Sequence, residues 1–250
     1  MKKLKAGGSP VFYIGTSGWT YDHWLGNFYP AQLAKSHWFE FYAAQFNAVE
    51  INATFYRFFR DQTYVKWKTQ APQGFGYVLK APKIITHRKM LKEVETEIRT
   101  FCHSADLLGD TFQMFLLQVA PNQPYDPELL RSALQAFSDP SRVAVEFRHE
   151  QWFNAEIERL LTSLGAVFCN VDSPRQCLTE ILTAPRAYVR LHGHGRWYGS
   201  NYSADELLKI AELVHRLTAR GAKWVYIFFN NDYRGYAPAN ARLLQKMLSK

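Results

Sequence analysis

The stretch Val145-Glu146-Phe147-Arg148-His149 sets a carboxylate, a guanidinium and an imidazole within four residues of one another. In extended chain, alternate side chains share a face, so Glu146 and Arg148 point the same way. Facing a pocket, Arg148 would hold an anionic group while Glu146 serves as acid, base or metal ligand, with His149 beside them. Facing the core, the same residues would be a structural ion pair. A second carboxylate, Glu50, stands two residues before Asn52. Farther on, Arg190-Leu191-His192-Gly193-His194-Gly195 combines cation, imidazole and glycine, a pattern that lets backbone amides approach a phosphate. Asn230 and Asn231 are adjacent amides that donate and accept without changing charge, which suits orientation of a polar substrate. Near the start, Trp19 stands among small polar residues, where an aromatic face can stack on a sugar or a base.

These residues share a position relative to apolar runs. Short runs occur at Val11 to Gly15, Val49 to Ile51, Gly76 to Lys80, Phe115 to Gln118, Val143 to Glu146, Ala166 to Cys169, Ala187 to Leu191 and Trp224 to Phe229. Helix-like segments separate them, so the expected fold is α/β, a single (β/α)8 barrel of the TIM type over residues 11–250 behind a flexible lead over residues 1–10. The active face of such a barrel lies at the carboxyl ends of its strands, which is where Lys80, Gln118 and Asp172 also fall. Helix starts are marked by Ser36 before Trp38, Asp126-Pro127, Asn154, and a Ser203/Glu206 capping box. Helical signal is weak after Asp172, so the sixth helix should be short or irregular.

Composition bounds the function. A chain of 250 residues with 47% hydrophobic content has enough material for one sizeable core. It contains no apolar run of transmembrane length and no secretory segment, so a cytoplasmic protein without a membrane partner is expected. Cys102, Cys169 and Cys177 form an odd set without CxxC spacing, which supports neither disulfides nor a zinc ribbon. The net charge of +8 favours an anionic small molecule or nucleic acid as partner. A basic cluster, Lys80, Lys83, His87, Arg88, Lys89 and Lys92, follows the third apolar run. No HExxH spacing is present, so no residue is assigned to a metal. Nothing specifies a cofactor or a protein partner.

GTSGWTYDHW with NFYP, VEINATFYRF, Lys80-Ala81-Pro82 with Ile85-Thr86-His87, LLQVAP, VEFRHEQW, RLHGHGRWY, and FFNND with APANA together resemble the YecE-like family, domain of unknown function 72. The resemblance runs from about Val11 to Leu248. It implies a TIM-type barrel distantly similar to sugar-isomerase and endonuclease IV folds. Its motifs single out Glu50, Asn52, Lys80, Gln118, Glu146, Arg148, His149, Arg190, His192, Asn230 and Asn231. The chain lacks the fuller His, Asp and Glu ligand set of the endonucleases. The expected function is an enzyme acting on a small anionic, phosphorylated or nucleotide-like substrate held by Lys80, Arg148 and Arg190, with Glu146 as principal acid/base and Glu50 its partner. The alternatives are a non-catalytic nucleic-acid-binding barrel and a divalent-metal-dependent phosphodiesterase or isomerase.

Overall fold

A computed structural model describes residues 9–249, so the expected lead lies outside the described residues except for Ser9 and Pro10. Eight strands are present: β1 Val11–Thr16, β2 Ala48–Ile51, β3 Gly76–Lys80, β4 Phe112–Gln118, β5 Val143–Glu146, β6 Val167–Asp172, β7 Arg186–Leu191 and β8 Trp224–Phe229. All ladders are parallel and run in the order β1-β8-β7-β6-β5-β4-β3-β2, the arrangement of a TIM-type barrel. The α-helices α1 (Trp38–Ala43), α2 (Asp61–Gln70), α3 (Glu95–Leu108), α4 (Pro127–Gln135), α5 (Ala155–Leu164), α6 (Ala204–Ala219) and α7 (Tyr236–Leu248) pack around it. Among the described residues, no helix is long and apolar enough to cross a membrane.

The ring closes between β1 and β2 through side chains rather than a full ladder. A single bridge joins Ser17 to Glu50. Tyr42 of α1 supplies the rest: its hydroxyl donates to Ala48 O at 3.0 Å and accepts from Thr16 N at 2.9 Å. Asn47 adds a second stitch, accepting from Ile14 N at 3.0 Å and donating to Phe12 O at 2.7 Å. Gly15 permits the close approach, because a Cβ there would lie 2.0 Å from Ala48 O.

Several helix ends form as their capping chemistry dictates. Asp126 accepts from Leu129 N at 2.9 Å, Asn154 from Ile157 N at 3.1 Å, and Ser203 and Glu206 form the reciprocal capping box. Ser36 does not cap α1. It lies inside a preceding 3-10 turn, Lys35–His37, and His37 takes the cap position without a side-chain bond. No helix forms between β6 and β7. Asn170 instead holds that segment, donating to Ile181 O at 3.0 Å and accepting from Ile181 N at 2.9 Å.

Strand alternation sorts the barrel interior into levels. Inward residues at mid-strand are apolar, among them Ala48, Val78, Met114, Leu116, Ala144, Cys169, Tyr188 and Phe228. Two residues farther along the same inward rows come Glu50, Lys80, Gln118, Glu146, Arg190 and Asn230. The change from apolar to polar along these six rows places charge at the carboxyl end, above a packed floor.

Candidate functional site

The centre of the polar layer is Arg190 on β7, fully buried between two carboxylates. Its Nη2 lies 2.6 Å from Glu50 Oε1, and its Nη1 bonds Glu146 Oε2. Glu50 also accepts from Ser17 Oγ at 2.7 Å and Tyr188 OH at 2.6 Å. Glu146 accepts from Gln118 Nε2 at 2.8 Å and pairs with Arg148 Nε. Each carboxylate therefore has three side-chain partners and no contact with solvent. Burial alone would raise the proton affinity of Glu146, but the guanidiniums of Arg148 and Arg190 outweigh it and hold the carboxyl well below its usual range.

His192 lies against this network and is fully buried. Its Nε2 is 3.2 Å from Arg148 Nη2 and 3.4 Å from Arg190 Nη1, and its Nδ1 is 3.0 Å from the Asn230 amide. Burial, reinforced by Arg190, pushes its proton affinity far down, so the imidazole is neutral. Because arginine can only donate, Nε2 accepts from Arg148.

Above the layer opens a cleft of about 940 Å³. Asn52, Lys80 and Asn230 form its strand-end lining. Aromatic walls come from Tyr21, Phe55, Tyr56, Trp197, Tyr198 and Tyr233, and Arg196 and Arg234 add positive charge. Both guanidiniums lie over the Tyr233 ring, at 5.4 and 5.2 Å from its centroid. Arg148 stacks on the far loop, 4.9 Å from the Trp197 ring. One carboxylate, Asp232, also lines the cleft; burial raises it to about 6, against its bonds from Trp24 Nε1 and His23.

Lys80 ends β3, whereas Arg196 and Arg234 stand outside the strands. Its Nζ lies 4.4 Å above the Phe55 ring and, among the described residues, makes no hydrogen bond or ion pair. Burial, then the positive charge of Arg190, lowers it to about 8. His87 stands edge-on to the same Phe55 ring and is also lowered, by burial and then by Lys80. The Asn52 Oδ1 on the same wall is buried without a partner, an arrangement a ligand donor would complete.

Several expected contacts are placed differently. Arg190, Glu50, Glu146, Gln118 and His192 lie beneath the cleft, engaged with one another, so Arg190 cannot itself grip a substrate. His149 is exposed and its Nδ1 accepts from Gln151 N at 3.3 Å, which makes it a turn cap outside the cluster. Trp19 packs edge-on against Phe39 and Trp67, outside the cleft. Asn231 is fully buried and donates to Ser200 O at 2.9 Å and Asn240 Oδ1 at 2.8 Å, fastening one loop to α7.

The glycine loop after β7 is also not an open phosphate cradle. Gly195 N and Arg196 N both donate to Ser200 Oγ, at 3.1 and 3.0 Å, and Gly193 N donates to Tyr202 OH at 2.9 Å. An anion must therefore be held by side chains. Sequence reasoning did not single out His23, Asp232, Tyr233 or Arg234. The last three follow directly on Asn230-Asn231, so extending the strand-end rule a few residues would have found them. Among the described residues no group of three or more His, Cys, Asp and Glu side chains is arranged to hold a metal ion.

The fold and its carboxyl-end cleft define a (β/α)8-barrel protein with a cationic, aromatic pocket above a buried carboxylate–arginine network. Residues 13–250 match the family described as "Protein of unknown function DUF72", and the chain belongs to it. It is 25% identical to the UPF0759 protein YunF of Bacillus subtilis, over 95% of each chain. It is 26% identical to the UPF0759 protein YecE of Escherichia coli K12, over 57% of this chain and half of that one. A solved DUF72 family protein from Thermotoga maritima superposes with a TM-score of 0.87 at 30% identity, over 96% of this chain and all of the other. One from Enterococcus faecalis gives 0.83 at 19% identity, over 96% of each, a likeness of fold.

Proposed function

We propose that this protein is an enzyme acting on a small anionic substrate that carries a planar or apolar part, such as a phosphorylated or nucleotide-like compound. The observation that carries this reading is the position of Lys80, an unpaired amine at the base of an aromatic cleft whose rim is formed by Arg196 and Arg234. The rim guanidiniums suit an anionic group and the tyrosines suit a flat surface. At about 8, Lys80 is poised to exchange a proton with substrate near neutral pH. Glu146 and Glu50 enter this chemistry by fixing Arg190 and Arg148, since each carboxylate is already saturated with donors.

The basic loop lends little to nucleic-acid binding. Lys80 turns into the cleft, Lys89 pairs with Glu97 at 2.7 Å, and Lys83 lies over the Tyr56 ring. Arg88 and Lys92 are its exposed cations.

The test is calorimetric titration with matched pairs of sugar phosphates and their neutral sugars, and of nucleotides and nucleosides. Phosphorylated members should bind, with affinity falling as salt rises, and the Lys80→Met variant should lose turnover of any substrate found. Equal binding of charged and neutral members, or turnover unchanged in that variant, overturns the reading.

A further inference from the structure

We infer that Lys80 is a covalent nucleophile, and that the substrate is an anionic aldehyde or ketone which condenses with its amine to an imine. This rests on the anion-binding reading above and adds the reactive group that the substrate must contain.

The inference begins with what surrounds the amine. Lysines on barrel interiors are usually paired with a carboxylate, because an unpaired buried ammonium is costly. Two carboxylates share its polar layer, yet Arg190 spans both and Arg148, Gln118, Ser17 and Tyr188 take the remaining positions. The network therefore leaves Lys80 without a direct counter-ion; the attraction of Glu146 and Glu50 works against the repulsion of Arg190 and Arg148, and burial is what chiefly lowers the amine. Its side chain rests on the Phe55 face, and its backbone carbonyl accepts from Thr54 Oγ1 at 2.7 Å, which ties the end of β3 to the turn after β2. The amine is thus fixed in position, turned toward the cleft and short of hydrogen-bond partners, as a nucleophile requires.

A general-acid lysine would be served equally well by a charged, paired amine. The lack of any partner favours the free base. Near pH 7.5 an amine titrating at about 8 is roughly one quarter unprotonated, against about one in a thousand for an ordinary lysine. The advantage in reactive amine is about two hundredfold.

The step balances without any further reagent. The unprotonated Nζ attacks the carbonyl carbon, forming the C–N bond as the C=O electron pair moves to oxygen. Proton transfer from nitrogen to oxygen gives the carbinolamine. The hydroxyl then leaves with a proton as water, and the nitrogen lone pair forms C=N. Once protonated, the imine draws electrons from the adjacent carbon, which favours loss of a proton or cleavage of a carbon–carbon bond there. Asn52, with its unpartnered Oδ1, and Asn230 line the same cleft as the amine and suit the hydroxyls of a sugar-like carbon chain.

The experiment uses the full chain with glyceraldehyde 3-phosphate as probe and borohydride as trapping reductant, read by intact mass and peptide mapping. One reduced adduct per chain, located at Lys80, is expected, with labelling rising through pH 8. The Lys80→Arg variant should lose it, and Lys83→Arg should retain it. Circular dichroism of Lys80→Arg establishes that loss of labelling is not loss of fold. In parallel, glycerol 3-phosphate, which has no carbonyl, is titrated calorimetrically. Binding of glycerol 3-phosphate without trapping at Lys80 overturns the imine and leaves the anion-binding reading intact. Labelling spread evenly over surface lysines also overturns it. Trapping at Lys80 without glycerol 3-phosphate binding supports the nucleophile and removes the anionic requirement. Failure of both removes both.

Discussion

Arg190 Nη2 and Glu50 Oε1 lie 2.6 Å apart across the barrel, from β7 to β2, with neither side chain reaching solvent. The same guanidinium bonds Glu146 on β5, so one arginine spans three strands that are not neighbours in the sheet. Burying three charges is costly, and their mutual attraction offsets that cost only while all three are present. Replacement of Arg190 by Met would leave Glu50 buried without its cation and Glu146 with Arg148 alone. We expect it to lower unfolding free energy by about 3–5 kcal/mol in urea titrations. A loss below about 1 kcal/mol would mean that the carboxylates find water or protons readily, contrary to the packing described.

The same network dictates how stability responds to acid. Glu146 has a folded proton affinity far below its unfolded one, because two guanidiniums face it. Its contribution is therefore fully present above the unfolded value of about 4.3 and is lost as pH falls toward the folded value. Urea midpoints should begin to decline near pH 6.5, where the unfolded chain protonates His192 and the folded one does not, and fall more steeply below about pH 4.5 as the contribution of Glu146 is lost. In Glu146→Gln, less stable at neutral pH, the fall should be shallower. Parallel slopes in the two proteins would mean that other carboxylates govern acid unfolding.

The eightfold strand pattern was legible because each β-strand is a short, largely apolar run that ends at or just before a polar residue. Period-two alternation then carried the inward row from Ala144 to Glu146 to Arg148 without knowledge of the fold. Asn52, Lys80 and Asn230 were found in this way and do line the cleft. The rule failed where the chain leaves the strand. His149 is one residue past Arg148 and so falls on the opposite side, and Asn231 stands in the same relation to Asn230. Parity separates such pairs, and it was not applied beyond the strand ends. The burial of Arg190 was not legible, since nothing local reveals that two carboxylates from distant strands will occupy its guanidinium. Nor could the glycine loop reveal that Ser200, five residues after Gly195, would take its amides.

Tyr42 holds the β1–β2 seam with one oxygen, which donates to Ala48 O and accepts from Thr16 N and Thr16 Oγ1. Removing that hydroxyl in Tyr42→Phe would leave buried backbone groups without partners, each costing about 1–3 kcal/mol. Hydrogen exchange at the Thr16 amide should accelerate markedly, while amides of the β7–β8 ladder change only as far as global stability falls. Uniform acceleration throughout the barrel would show that the seam is no weaker than the rest of the sheet.

The anion's place in the cleft can be decided by two substitutions with opposite implications. If side chains hold it, Arg196→Ala should weaken binding of a phosphorylated ligand by about tenfold or more, as loss of a charge-assisted hydrogen bond would. If loop amides hold it, Ser200→Ala should strengthen binding, because it frees Gly195 N and Arg196 N from the serine oxygen that now occupies them. We expect the first result, with Ser200→Ala weakening binding slightly as the loop loses its internal bonds. Tyr198 N donates to His192 O at 2.8 Å and Tyr233 N to Tyr198 O at 2.9 Å, so the loops bearing Arg196 and Arg234 are tied together. Disturbing either loop should therefore shift both guanidiniums, and Arg196→Ala combined with Arg234→Ala should cost less than the sum of the two alone. Strict additivity would mean that the two arginines bind independently, and tighter binding by Ser200→Ala would move the anion to the loop.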